Sequence, residues 1–122
     1  MNIAVLGAFG MMGEAALYDL ARQARVSRIF AADRHLGRKN AVLAKIPGRG
    51  KIKSVALDIQ DTAKAARLLR GCAVVLNAAW YELNLKAMDV AAALGAHYVD
   101  LGGLYHMTLK QLKRHSLFKQ RG

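Results

Sequence analysis

Asn2-Ile-Ala-Val-Leu-Gly7-Ala-Phe-Gly10-Met-Met-Gly13 opens with four apolar residues in a row, passes through glycines three apart, and enters an Ala/Leu-rich segment with helical spacing. It reads as a strand, a tight turn and a helix. That order presents bare backbone N–H groups at the positive end of a helix, the arrangement that receives a pyrophosphate. Glycine at the first position allows the sharp turn, at the second lets phosphates approach with no Cβ in the way, and at the third lets helix and strand pack closely. The three-residue spacing leaves Phe9 inside the turn.

Outward from this stretch the same pattern repeats. Ala16, Leu17, Leu20, Ala21 and Ala24 share one helical face, giving a first helix from Met11 to Gln23. A second strand, Arg28 to Ala32, ends in Asp33. Leu36 to Ile46 reads as a helix closed by the breakers Pro47-Gly48-Arg49-Gly50. Ile52 to Leu57 is a third strand ending at Asp58, and Asp61 can cap a short helix whose inward face is Ala65, Leu68 and Leu69. Gly71 stands where a left-handed cap is expected.

The fourth strand, Ala73 to Leu76, is apolar at every position, as suits a strand covered on both faces of a parallel sheet. Glu82 to Leu94 follows as a helix with Leu85, Met88, Ala91 and Ala92 inward, and Gly95 stops it. His97 to Asp100 is a fifth strand, followed by Gly102-Gly103. Thr108 and Gln111 have the spacing of a capping box, opening a basic amphipathic helix with Leu109, Leu112 and Phe118 on its apolar side. Alternating strands and helices imply parallel pairing with right-handed crossovers. The expected fold is α/β, a doubly wound parallel sheet in a three-layer sandwich with strand order 3-2-1-4-5 and a ligand crevice between the ends of strands one and four.

Composition agrees with a single folded domain. The 122 residues are 54% hydrophobic and 22% charged, with one Pro and eleven Gly, which excludes disordered and collagen-like classes. No apolar run approaches the roughly 20 residues a bilayer span needs, and the start lacks a basic leader, so a cytoplasmic protein without membrane partners is expected. Cys72 cannot form an internal disulfide, and no histidine falls in a metal-ligand pattern with it, so no metal site is expected. Cys72 reads as a small buried side chain. The net charge of +11 raises nucleic acid as a partner, but the cations are scattered and not interleaved with aromatics. Solvated helix faces explain them better.

Several residues stand where a dinucleotide would lie. The turn residues Gly7, Ala8, Phe9, Gly10, Met11 and Met12 form the phosphate end. Asp33, 20 residues beyond Gly13, is placed to accept from the adenosine ribose hydroxyls. A carboxylate there favours NAD, whereas Arg34, with Arg38 and Lys39 one turn on, offers the cations that the 2′-phosphate of NADP prefers. Both cofactors stay open, with a lean to NADP. Asp58 and Ile59 fall beside the adenine; Asp58 and Asp61 serve equally well as loop caps. Asn77, Ala78 and Ala79 leave the fourth strand at the crevice, where small residues admit a ribose and nicotinamide and Asn77 has an amide to offer. Trp80 and Tyr81 are large aromatics in that loop, and packing is their expected role, with the nicotinamide expected near Asn77 to Tyr81 and Tyr81 counted among the cofactor-binding candidates. Asp100 reads as a turn former near the crevice mouth.

Val-Leu-Gly-Ala-Phe-Gly-Met-Met-Gly at 5 to 13, Ala-Asp-Arg at 32 to 34, Ala-Leu-Asp at 56 to 58, Leu-Asn-Ala-Ala-Trp-Tyr-Glu-Leu-Asn at 76 to 84 and Gly-Ala-His-Tyr-Val-Asp-Leu-Gly-Gly at 95 to 103 together resemble the N-terminal nucleotide-binding domain of the saccharopine dehydrogenase family. Trp80 departs from the proline often found in that loop. The resemblance implies a Rossmann-type domain over residues 1 to 122, forming the N-terminal part of a longer NAD(P)-dependent oxidoreductase that makes or breaks a C–N bond at an amino-acid carbon. It also implies that an amino acid or its imine is presented by a separate substrate domain. No set of general acid, base and substrate clamp is present in these residues, so no catalytic residue is assigned and the isolated domain is expected to bind cofactor without catalysis. An alternative is a stand-alone nucleotide-sensing or regulatory module that acts through a partner or a homodimer, with Trp80, Tyr81 and the terminal basic helix as its interface.

Overall fold

The computed structural model describes residues 1–121. In chain order the elements are β1 (Asn2–Leu6), α1 (Met11–Arg22), β2 (Arg28–Asp33), α2 (Lys39–Ala44), β3 (Ile52–Ala56), α3 (Thr62–Leu68), β4 (Val74–Asn77), α4 (Asn84–Leu94), β5 (His97–Asp100), α5 (Tyr105–Leu112) and α6 (His115–Gln120). Single turns of 3-10 helix lie at Arg49–Lys51 and Tyr81–Leu83. All five strands pair in parallel in the order β3-β2-β1-β4-β5, the order expected from the sequence.

The sheet is apolar because both of its faces are covered. Side chains alternate along each strand, so Ala4 and Leu6 of β1 join one core while Ile3 and Val5 join the other. The first core takes Ala65 and Leu69 from the α3 side and Ala87, Val90 and Ala91 from α4. The second takes Leu17 and Ala21 from α1, Val42 from α2 and Ile46 beyond it. Leu17, Ile29 and Leu69 are fully buried, and each such side chain contributes roughly 1.5–3 kcal/mol. Asp61 caps α3, its carboxylate accepting from the Lys64 N–H at 3.0 Å. Gly95 ends α4 with φ +65°, and Gly71 takes φ +85° two residues beyond the C-cap Leu69.

Four local expectations are corrected. Helix α2 covers only Lys39–Ala44 and not Leu36 to Ile46, because Leu36 to Arg38 form a turn and the N–H groups of Lys45 and Ile46 close back on Val42 and Leu43 before Pro47. Leu68 is exposed, since Ala65 and Leu69, one helical turn apart, define the buried stripe. The Thr108–Gln111 capping box does not form: α5 starts a turn earlier with Leu104 as its N-cap, and Thr108 lies inside it, 3.5 Å from the Leu104 carbonyl. Gln111 donates instead to Asp100.

The fourth correction concerns the terminal helix, which is two helices with a break at Lys113 and Arg114. There Arg114 pairs with Asp89 and donates to the Leu85 carbonyl at 3.0 Å, tying the break to α4. Met107 is buried and Phe118 packs on the core, while Leu109 and Leu112 face outward.

Candidate functional site

The turn after β1 uses its three glycines in three ways. Gly7 has φ +68°, and a Cβ there would stand 2.8 Å from the N, Cα and Cβ of Ala79. At Gly13 a Cβ would lie 2.1 Å from the Gly7 oxygen and 2.6 Å from Ala8, so the helix packs on the turn only without one. Gly10 has φ −78°, which any residue adopts, and a Cβ there would meet only the Gly7 oxygen at 3.4 Å. Nothing in the protein's own backbone or packing requires glycine at position 10. What its missing side chain leaves open is the space over the turn.

Donors converge on that space. The Ala8 N–H is committed to the Ala32 carbonyl, the Phe9 N–H to Asp33 and the Gly10 N–H to the Gly7 carbonyl. The first helical bond of α1 runs from Glu14 to Gly10, so the N–H groups of Met11, Met12 and Gly13 precede it at the positive end of the helix. Phe9 is buried in the core and anchors the turn from below. The Met11 and Met12 side chains are exposed, so these residues offer backbone rather than side chain.

A cleft of about 360 Å³ runs along the carboxyl ends of the strands, lined among others by Gly7, Asp33, Arg34, Asp58, Ile59 and Ala79. Six of the sequence-derived candidates are thus brought together. A smaller hollow of about 250 Å³, lined by Phe9, Gly10, Asp33, His35, Gly37 and Arg38, adjoins it through Asp33. The Asp33 carboxylate holds both sides: one oxygen accepts from the Phe9 N–H at 3.1 Å, the other from the His35 N–H at 3.2 Å. Each carboxylate oxygen keeps a further lone pair for a ligand hydroxyl. Asp58 similarly accepts from the Gln60 N–H at 2.9 Å while facing the cleft, so its loop-cap and ligand roles coexist.

The cations separate into two kinds. Arg38 donates to the Phe9 carbonyl at 3.1 Å and stands 3.7 Å from Glu14, so it buttresses the turn. Arg34 lines the cleft, is exposed, and among the described residues is held only by its Nε contact to His35 at 3.3 Å. Of the two arginines, Arg34 has the guanidinium face to spare.

At the β4 side, Ala79 forms the wall opposite Gly7 and Ala78 packs on the core. Asn77 is not at the cleft surface. It is 2% exposed, its side-chain oxygen accepts from the Ala79 N–H at 3.1 Å, and its amide donates to Asn84 at 2.7 Å. Trp80, expected to pack, is 62% exposed at the cleft edge with its ring centroid 5.0 Å from that of Tyr81. Tyr81 is half-buried beneath Gly103. Sequence reasoning missed Gln60, Glu82 and Leu83 as cleft walls and Asn84 as the partner of Asn77. The Asn77-x₆-Asn84 spacing was visible, but nothing in it signals a contact across a loop.

Outside the cleft, Asp100 caps its own loop, accepting from the Gly102 N–H at 2.7 Å. Burial pushes the Tyr98 phenol well above its ordinary range, and the nearby Asp100 carboxylate adds to this. Cys72 is buried as expected, and burial pushes its thiol up to about 11. Among the described residues there is no cluster of metal-ligating side chains and no helix long and apolar enough to cross a membrane.

Parallel order, a glycine turn opening a helix, and an acidic residue at the end of the second strand define a doubly wound α/β nucleotide-binding domain of the Rossmann type. The family model described as "Saccharopine dehydrogenase NADP binding domain" matches residues 3–122, and the chain belongs to that family. The NADP lean drawn from Arg34 agrees with this.

Among solved structures, saccharopine dehydrogenase (L-Glu forming) from Saccharomyces cerevisiae matches with a TM-score of 0.71 and 22% identity, over 91% of this chain and 23% of that one. An NADPH-dependent quinone oxidoreductase from Escherichia coli, complexed with NADPH, matches at TM-score 0.66 and 19% identity over 98% of this chain and 45% of that one. Triphenylmethane reductase from Citrobacter sp. gives TM-score 0.66 and 16% identity, covering 100% and 46%. At these identities the likeness is one of fold. The chain spans about a quarter to a half of the length of these proteins.

Proposed function

We propose that this chain is the cofactor-binding part, residues 1–122, of an NADP-dependent oxidoreductase acting on the C–N bond of an amino acid or its imine, and that a further domain presents the substrate. Gly10 is the observation that carries the cofactor reading: its bare Cα is unexplained by the fold and suits an approaching pyrophosphate. The site fits the cofactor in its donor set as well. Free first-turn N–H groups of α1 receive phosphate, Asp33 has lone pairs for ribose hydroxyls, and Arg34 supplies the cation for a 2′-phosphate.

When bound, NADP supplies a hydride acceptor or, reduced, a hydride donor. The chain's own residues do the holding. Asp58 and Ile59 offer an acceptor and an apolar wall to one end of the cleft, and Ala79 keeps the wall opposite Gly7 thin. Trp80 edges the other end, with Tyr81 beside it. No side chain of this cleft is assigned a proton-transfer role, so the isolated chain binds cofactor and does not turn over substrate.

Calorimetry with both cofactors tests the reading. The wild-type chain is expected to prefer NADP over NAD, and Arg34→Ala to weaken NADP binding about tenfold while leaving NAD within about twofold, since a charge-assisted phosphate contact is lost. Absence of binding by either cofactor, or equal losses for both on Arg34→Ala, contradicts it.

A further inference from the structure

Asn84 is 1% exposed at the first position of α4, a buried amide that neither the glycine turn nor the cleft wall accounts for. Its oxygen accepts from the Asn77 amide at 2.7 Å, and its own Nδ2 has no partner among the described residues. Asn77 in turn accepts from the Ala79 N–H with its oxygen. The chain of contacts therefore runs from the start of α4, through the end of β4, to the residue that faces Gly7. Ala79 is seated so close to Gly7 that a single methyl group there would come within 2.8 Å of it. On its other side Asn84 lies under Gly103, where a Cβ would stand 3.8 Å from Nδ2 and 3.3 Å from the Tyr81 Cβ. The Asn84 amide thus touches the end of β4 and lies under the loop after β5, and it reaches the turn after β1 through Asn77 and Ala79.

A buried amide is expensive unless bonded, and the orphaned Nδ2 makes Asn84 a poor choice for stability alone. An apolar residue of the same shape would fill the volume with no unpaired donor. We propose that Asn84 is a positioning residue for the cofactor site: through Asn77 it fixes the orientation of the Ala78–Trp80 loop against Gly7, and so sets the affinity for NADP. The acceptor oxygen carries this role and the unpartnered Nδ2 does not. The inference rests on the cofactor reading above for its affinity consequence, while its structural part stands on the contacts alone.

The distinction between the two side-chain atoms supplies the experiment. Asn84→Leu keeps the shape but leaves the Asn77 Nδ2 without an acceptor, so Asn77 is free to turn and release the Ala79 N–H. Asn84→Asp keeps an acceptor oxygen for Asn77 whether or not the buried carboxyl is ionised and replaces the unused donor with a second oxygen, the helix N-terminus offsetting part of the cost of burying its charge. Trp80 is the only tryptophan in the chain and sits in the loop concerned, so its emission reports loop placement in the free protein as well as NADPH binding.

At a temperature where circular dichroism shows every variant folded, Asn84→Leu is expected to shift the Trp80 emission of the free protein and to bind NADPH about tenfold more weakly, the effect of one unsatisfied buried donor. Asn84→Asp is expected to match wild type within about twofold on the same scale. Where Asn84→Leu does not fold, Asn84→Ser, too short to reach Asn77, replaces it with the same expectations. A folded Leu or Ser variant with wild-type emission and affinity overturns the proposal, as does an Asp variant that loses as much as Leu. A wild-type chain that binds no NADPH overturns the cofactor reading instead, and the emission of the free variants still tests the positioning of the loop by Asn84.

Discussion

The two ends of the crevice are built differently. At the β1–β2 end one continuous segment, Gly7 to Gly13, is tied down by one carboxylate and one guanidinium, with Asp33 on the Phe9 N–H and Arg38 on the Phe9 carbonyl. At the β4–β5 end the loops after β4 and β5 meet, the Asn84 Nδ2 and the Tyr98 hydroxyl are buried with no hydrogen-bond partner among the described residues, and Val99, Leu101, Leu104 and Tyr105 are exposed. The first end is held by side chains 24 and 29 residues away in sequence, and its first-turn N–H groups are left for a ligand. The second is held by shorter-range side-chain bonds, Asn77 to Asn84 and Asp100 to Gln111, with apolar surface left over.

The sharpest way to break this contrast is at Gly13. If the turn is as closely packed as its geometry requires, Gly13→Ala, whose Cβ would fall 2.1 Å from the Gly7 oxygen, lowers unfolding free energy. The loss expected from overpacking against backbone is roughly 3 kcal/mol or more, read by urea denaturation. A loss below about 1 kcal/mol means that the turn yields, and the contrast with the looser end disappears.

Cys72 asks whether the core beneath β4 is as closed as the turn. Its thiol is raised from an ordinary 9.0 to about 11, with burial as the cause. The folded value lies above the unfolded one, so the folded state holds the proton longer. The stabilisation is fully present below pH 9, declines as pH rises, and is lost past about 11. A disulfide-exchange reagent at pH 8 is expected to label Cys72 only in the unfolded chain; fast labelling of the folded chain means that this core opens. The smallest effect is expected at the exposed end, where Leu112→Ser should change stability by no more than about 0.5 kcal/mol in the same denaturation assay. A larger loss places Leu112 in a packed interface.

This contrast also explains what could be read in advance. Strand order and the glycine turn were legible because they follow from local pattern: apolar runs covered on both faces, breakers between them, and Asp33 at a fixed distance from Gly13. The helix after β5 was misread because Thr108 and Gln111 carry a capping pattern that Leu104 and the loop before it pre-empt. Trp80 was expected to pack and instead edges the cleft. Asn77 was expected to face a ligand and instead faces Asn84, because a side chain at a strand end takes its partner from whichever helix returns over it. Spacing along the chain does not encode that partner. The double duty of Asp33, holding the turn while facing the cleft, was likewise invisible from its position alone.

Gly10 decides the central claim most directly. Neither its backbone nor its neighbours require glycine, so Gly10→Ala should fold with a stability within about 1 kcal/mol of wild type, since the added methyl meets only one carbonyl and removes some unfolded-state freedom. Its NADPH affinity, measured by quenching of Trp80 emission, should fall about tenfold or more, because the methyl occupies the space left for phosphate. A Gly10→Ala chain that folds normally and binds NADPH as tightly as wild type contradicts the placement of the cofactor on this turn.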